Sequence, residues 1–132
     1  MSEKNTNANQ SGHVLIVDDH ALVRKMVASS LIREGFNIVA VSSGTEAIET
    51  LQQPHTIACV LLDLSMPGMS GEEVIMQLAE QWPTLPIIVY SAHDESTVSH
   101  KLDYDSIVGY LQKPFDPQVL KNTLNDAMAR RP

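Results

Sequence analysis

Three aspartates, a serine and a lysine stand where chemistry is easiest to place. Asp18 and Asp19 follow the apolar run Val14-Leu15-Ile16-Val17. Asp63 follows the run Ile57 to Leu62, Ser91 ends the run Pro86 to Tyr90, and Lys113 comes shortly after Ile107 to Leu111. Carboxylates gathered at neutral pH repel one another unless a cation lies among them, and oxygen-only ligands suit a hard cation. A small set with room for water and a phosphate oxygen suits Mg²⁺ better than a full Ca²⁺ cage, with Mn²⁺ as a substitute. Lys113 adds a second positive charge to meet a phosphoryl oxygen, and Ser91 a short hydroxyl donor. Such a set performs phosphoryl transfer to a carboxylate: the cation offsets charge on the transferring group and fixed donors hold it in line. A carboxylate is a weak nucleophile, so the donor must be reactive, as a phosphohistidine or a small acyl phosphate is.

Each of these residues also has a plainer reading. Paired aspartates after a strand are often turn and helix-cap residues. An aspartate before a Pro-Gly loop is commonly a turn residue, and a lysine before proline is usually a solvated charge. Their shared position, each at the end of a successive strand, is what favours chemistry.

The elements that must hold them can be read from pattern. Short continuous apolar runs suit strands buried on both faces, as in a parallel sheet. They cover Val14–Val17, Phe36–Val41, Ile57–Leu62, Pro86–Tyr90 and Ile107–Leu111. Between them lie helical periods. In the first, Val23, Val27 and Leu31 repeat at i+4, with Leu22 and Met26 as a second row, and Gly35 is placed as a C-cap glycine. Helices are expected at Gly44–Gln53 and Glu72–Trp82, and a weaker one at Asp94–Tyr104, where only Val98, Leu102 and Tyr104 offer apolar surface. Asp116-Pro117 is an N-cap acceptor followed by proline at the first helical position, and opens a helix expected to bury Val119, Leu120, Leu124, Ala127 and Met128. Five strand–helix pairs predict a parallel sheet with helices on both faces, whose ligands bind at the carboxyl ends of the strands.

With 132 residues the chain suits one domain. Its 43% hydrophobic content supplies a core, and 19% charged residues is too few for a disordered chain. A net charge of −7 argues against direct nucleic-acid contact. A single cysteine, Cys59, allows no internal disulfide and fits a reducing cytoplasm; it is read as core. No apolar run reaches membrane-span length. Residues 1–12 are polar, lack a signal-peptide core and are read as a disordered tail, with the domain at 13–130.

Four segments resemble the response-regulator receiver family of two-component signalling: Val14-Leu15-Ile16-Val17-Asp18-Asp19-His20, Leu61-Leu62-Asp63-Leu64-Ser65-Met66-Pro67-Gly68-Met69-Ser70-Gly71, Val89-Tyr90-Ser91-Ala92 and Gly109-Tyr110-Leu111-Gln112-Lys113-Pro114-Phe115. The resemblance runs from about His13 to about Arg130 and implies a flavodoxin-like (βα)5 fold with strand order 2-1-3-4-5. It implies phosphorylation of Asp63, direct Mg²⁺ ligation by Asp19 and ligation through water by Asp18. The backbone carbonyl of Ser65 would complete the metal set. It assigns Ser91, the Ala92 backbone N–H and Lys113 to the phosphoryl group, Ser91 and Tyr110 to a conformational switch, and a cis bond before Pro114. Ser65 and His93 would flank the path of an attacking water and so set phosphoryl lifetime. The partners implied are a histidine kinase or histidine phosphotransfer protein, a downstream protein or output domain, and a second copy through the fourth helix, last strand and final helix.

One departure from the family is Asp105-Ser106, where a small Ala-Gly pair often precedes the last strand. The segment Asp18 to Arg24 looks like receivers joined to a LuxR-type DNA-binding domain, whereas Lys113-Pro114-Phe115 looks more like stand-alone and hybrid-kinase receivers. Two other functions compete. A magnesium-dependent phosphohydrolase would place Asp-x-Asp after the first strand, but Asp18 and Asp19 are adjacent. A flavin carrier would need a hydroxyl- and amide-rich phosphate loop there, and two aspartates repel phosphate. His20 is expected to open the first helix, and His55, His93 and His100 have no metal-ligand spacing.

Overall fold

Three of the apolar runs are buried almost throughout and form the middle of a parallel sheet, while the two at its edges are buried only in part. In the computed structural model, which describes residues 12–64, 71–92 and 104–129, five strands align: β1 (His13–Val17), β2 (Asn37–Val41), β3 (Ile57–Asp63), β4 (Ile87–Ser91) and β5 (Ile107–Gln112). Their order is β2-β1-β3-β4-β5, all neighbours parallel. The helices among the described residues are α1 (Ala21–Arg33), α2 (Gly44–Gln52), α3 (Gly71–Gln81) and α4 (Pro117–Ala129). The helix expected at Asp94–Tyr104 falls almost wholly outside the described residues; Tyr104 itself is not helical.

Alternation along each strand divides the core in two. Leu15, Val17, Val60, Leu62, Ile87 and Val89 face α2 and α3, while Val14, Ile16, Leu61, Ile88 and Tyr90 face α1 and α4. Cys59 is buried with the second set. Both layers bear directly on the strands whose ends carry the site, so the site residues stand on a rigid base.

Local signals end the helices as their chemistry requires. Gly35 has φ 95°, a conformation that costs glycine little, and follows the C-cap Glu34. Gly35 N donates to Ile32 O and Phe36 N to Leu31 O, which satisfies the last carbonyls of α1 in a Schellman arrangement. Ser43 caps α2 by accepting from Glu46 N at 3.1 Å, and Glu46 Oε1 reaches back to accept from Ser42 N at 2.7 Å. Asp116 Oδ1 accepts from Gln118 N at 2.7 Å at the start of α4.

Three packing expectations are corrected. Leu22 and Met26 are 63% and 62% exposed: α1 turns Val23, Val27, Ala28 and Leu31 toward the sheet, and the row of Leu22 and Met26, one residue away, lies about 100° around the helix. Val119 is exposed for the same reason, because α4 turns Leu120, Leu124, Ala127 and Met128 inward. Gly12, assigned to the tail, is buried against β3; a Cβ there would fall 2.7 Å from Cβ of Ala58. Residues 1–11 lie outside the described residues. Ser106, where the family often has a small residue, is buried; its hydroxyl donates to Pro83 O at 3.1 Å and its carbonyl accepts from Ile87 N.

Candidate functional site

The site forms where the chain changes direction across the sheet. From β1 the chain passes to β2 on one side, then to β3 on the other, so the loops after β1 and β3 diverge and leave a crevice at their carboxyl ends. Asp18 and Asp19 leave β1 there, and Asp63 ends β3. One carboxylate oxygen from each lies within 4.8 Å of the other two. Asp18 and Asp63 are buried and Asp19 is exposed, so the cluster opens to solvent on the Asp19 side.

Asp18 is held from several directions. Its N–H donates to Val41 O at 3.2 Å, its carbonyl accepts from Arg24 Nη1 at 2.7 Å, and its Oδ1 accepts from His20 N at 2.8 Å. Its Oδ2 accepts from the Tyr90 hydroxyl. His20 is the N-cap of α1, facing Val23 N with Nδ1 at 3.5 Å, which places it at the helix start and not in the carboxylate cluster.

Lys113 reaches the cluster from the far side. Its Nζ lies 3.2 Å from Asp63 Oδ2, and its backbone N–H donates to Ser91 O at 2.7 Å, which ties the end of β5 to the end of β4. The Lys113–Pro114 peptide is cis. Ser91 is buried at the end of β4, and exposed Ala92 follows it. Tyr110 is half-buried on β5, in register with Val89, and packs against the core layer under α2 and α3. Ser65 and His93 lie outside the described residues.

Two residues of the site escaped sequence reasoning. Arg24 is hidden among the polar positions of a helix. Tyr90 left a signal: it is the one aromatic in an aliphatic run, directly before Ser91, and a buried phenol needs a hydrogen-bond partner. Burial, then the hydrogen bond to Asp18, then the charges of Asp18 and Asp63 push the Tyr90 hydroxyl far above the ordinary phenol range. It therefore stays protonated and donates. The ring lies edge-on to Phe115, with centroids 5.6 Å apart, and Lys113 Nζ stands 5.0 Å from its centroid.

Three carboxylates against one nearby ammonium leave a net negative, all-oxygen pocket, which is the donor chemistry of a hard divalent cation. Residues 14–125 match the response regulator receiver domain, and the chain belongs to that family. Over 108 residues it is 39% identical to the transcriptional regulatory protein SrrA of Staphylococcus aureus, covering 82% of this chain and 44% of that protein. The chain thus spans less than half the length of the curated relatives it matches. Among solved structures it is similar to the response regulator TrrA of Thermotoga maritima in complex with Mg²⁺–BeF (28% identity, TM-score 0.79, covering 88% of this chain and 98% of that one). It is also similar to the chemotaxis response regulator CheY4 of Vibrio cholerae (26% identity, TM-score 0.79, covering 89% and 99%). The fold is the flavodoxin-like receiver fold, and the chain is a phosphoacceptor receiver domain of two-component signalling.

Proposed function

We propose that Asp63 is the phosphorylated residue and that Mg²⁺ is the cation, held by Asp18, Asp19 and Asp63 with the backbone carbonyl of Ser65. The observation that carries this reading is the meeting of the three carboxylates with Lys113 Nζ, 3.2 Å from Asp63 Oδ2. An Asp63 carboxylate oxygen attacks phosphorus. A P–O bond forms as the donor's P–N bond breaks, and the departing imidazole nitrogen keeps the electron pair. Bound Mg²⁺ supplies charge neutralisation on the phosphoryl oxygens. Lys113 pairs with a phosphoryl oxygen as Asp63 loses its own negative charge, and Ser91 and the Ala92 N–H hold the others. Ser91 then shifts toward the phosphoryl group and Tyr110 fills the space released, a population shift between two states. Ser65 and His93 would set how long the phosphoryl group lasts.

In this reading the chain is no turnover enzyme and works in the cytoplasm, without nucleic-acid contact of its own. Among the described residues no helix is long and apolar enough to cross a membrane. Its phosphodonor is a histidine kinase or phosphotransfer protein. A groove of about 450 Å³, lined by Val23, Met26, Val27, Phe115, Pro117 and Leu120, gives such a protein an apolar seat beside Lys113, the lysine that pairs with Asp63. The output is a docked protein, a second copy of the chain or, as the segment Asp18 to Arg24 suggests, a LuxR-type DNA-binding region of a longer regulator; the relative SrrA is a transcriptional regulatory protein.

The test is incubation with acetyl phosphate and Mg²⁺ followed by intact mass measurement. The parent gains a phosphoryl mass that disappears with EDTA, and Asp63→Asn gains none. Equal labelling of Asp63→Asn overturns the assignment.

A further inference from the structure

Tyr90 heads the fully buried side chains by volume among the described residues. Its neighbours on the same face of the sheet, Ile16, Leu61 and Ile88, are aliphatic, and a phenylalanine would fill the place without a polar partner to satisfy. The hydroxyl is committed instead to Asp18 Oδ2, while His20 N occupies Oδ1. Both oxygens of that carboxylate therefore accept a hydrogen bond from the protein. An ionised carboxylate offers about four lone-pair positions, so each oxygen keeps one for a cation or its water. With both donors fixed, the direction of those remaining positions is fixed as well.

The donor itself is rigid. Tyr90 lies in register with Asp63, its carbonyl accepts from Leu64 N at 3.0 Å, and Phe115 abuts its ring edge-on at 80°. The ring also lies under the Lys113 ammonium, the cation that pairs with Asp63. One side chain thus touches both halves of the site: a metal-side carboxylate through its hydroxyl and the phosphoryl-side lysine through its ring.

We propose that Tyr90 is a positioning residue, whose hydroxyl holds the Asp18 carboxylate in the orientation that Mg²⁺ or its bound water requires and whose ring seats the Lys113 ammonium beside Asp63. The proposal rests on the metal site described under Proposed function. Outer donors that orient metal ligands are typically worth about 10- to 100-fold in affinity, and one acting on a ligand that works through water belongs near about 10-fold.

Tyr90→Phe keeps the ring, its contact with Phe115 and its place under Lys113, and removes only the hydroxyl. Mg²⁺ affinity of the full chain is measured by calorimetry for the parent and Tyr90→Phe, with melts in EDTA as the check on folding. The expected result is Mg²⁺ affinity weaker by about 10-fold in a variant that melts cooperatively without metal. A loss of less than about threefold, no change or tighter binding overturns the proposal. A parent that does not bind Mg²⁺ at all overturns the proposed function along with it, whereas a binding parent and an equal variant overturn the role of Tyr90 alone. Should Tyr90→Phe fail to fold, the parent decides. The Tyr90 ¹³Cζ resonance, identified by comparison with Tyr104→Phe and Tyr110→Phe, shifts as Mg²⁺ is added if the hydroxyl is coupled to the site, and a resonance unmoved at saturation overturns the proposal.

Discussion

Lys113 Nζ lies 3.2 Å from Asp63 Oδ2, although fifty positions separate the two residues in the chain. The pair is asymmetric: the lysine side chain is 25% exposed and the aspartate 3%. The ammonium offsets only one of three gathered carboxylates, so the cluster keeps an electrostatic demand for a further cation.

That demand predicts a stability that depends on metal. A ligand that binds only the folded state stabilises it by mass action, by about 2.7 kcal/mol at a hundredfold excess over Kd. Mg²⁺ is therefore expected to raise the melting temperature of the parent. Asp19→Ala removes the exposed carboxylate that solvent-borne metal meets first, and most of the shift should vanish. An equal shift in Asp19→Ala would remove Asp19 from the ligand set.

The apolar groove beside Lys113 separates two kinds of phosphodonor. Met26 is 62% exposed at its edge. Met26→Asp places a charge that a docking protein must desolvate, and transfer from a histidine kinase or phosphotransfer protein should slow by about tenfold or more, equivalent to about 1.4 kcal/mol. Labelling by acetyl phosphate needs no docking and should be unchanged. Equal rates from the protein donor would show that it seats elsewhere.

Glu46 is expected to carry a pH-dependent part of stability. The backbone N–H of Ser42, then its hydroxyl, hold the carboxyl below its ordinary value of 4.5. A group whose folded value is depressed contributes above its unfolded value, and that contribution is lost as pH falls through the folded one. Glu46→Gln should therefore melt lower than the parent at neutral pH, and the gap should close in acid below the ordinary glutamate range. A gap that persists there would assign the effect to shape and not to charge.

Gly71 opens α3 against the residue that follows Asp63. A Cβ there would stand 2.9 Å from Leu64 Cα and 3.1 Å from Leu64 O, and backbone cannot give way as a flexible side chain does. Gly71→Ala should cost about 1–3 kcal/mol, as overpacking does, read from urea denaturation. It should also lower Mg²⁺ affinity, because the displaced backbone carries Asp63. A variant as stable as the parent would mean that the start of α3 moves freely.

Much of this architecture was legible in the sequence because strand burial and helix capping are local signals. Continuous apolar runs marked all five strands to within a residue or two, Gly35 and Asp116 marked helix ends, and aspartates at successive strand ends marked the site. Strand order came only from family resemblance, since a run such as Val14–Val17 is equally apolar whichever strands flank it. Rotational detail escaped as well. Leu22, Met26 and Val119 are as apolar as their buried neighbours, and only the angle at which each helix meets the sheet leaves them in solvent. Tyr90 belongs to this second kind. Its type and its place before Ser91 were visible, but the acceptor of its hydroxyl lies seventy-two positions earlier in the chain. The sequence by itself determined that three aspartates, a serine and a lysine fall at strand ends, the groups that the proposed phosphoryl site uses. Which of them touch, and that a tyrosine joins Asp18 to the Lys113 side, was decided by placing β1, β3, β4 and β5 side by side, because contacts between strands depend on order and register that no local pattern records.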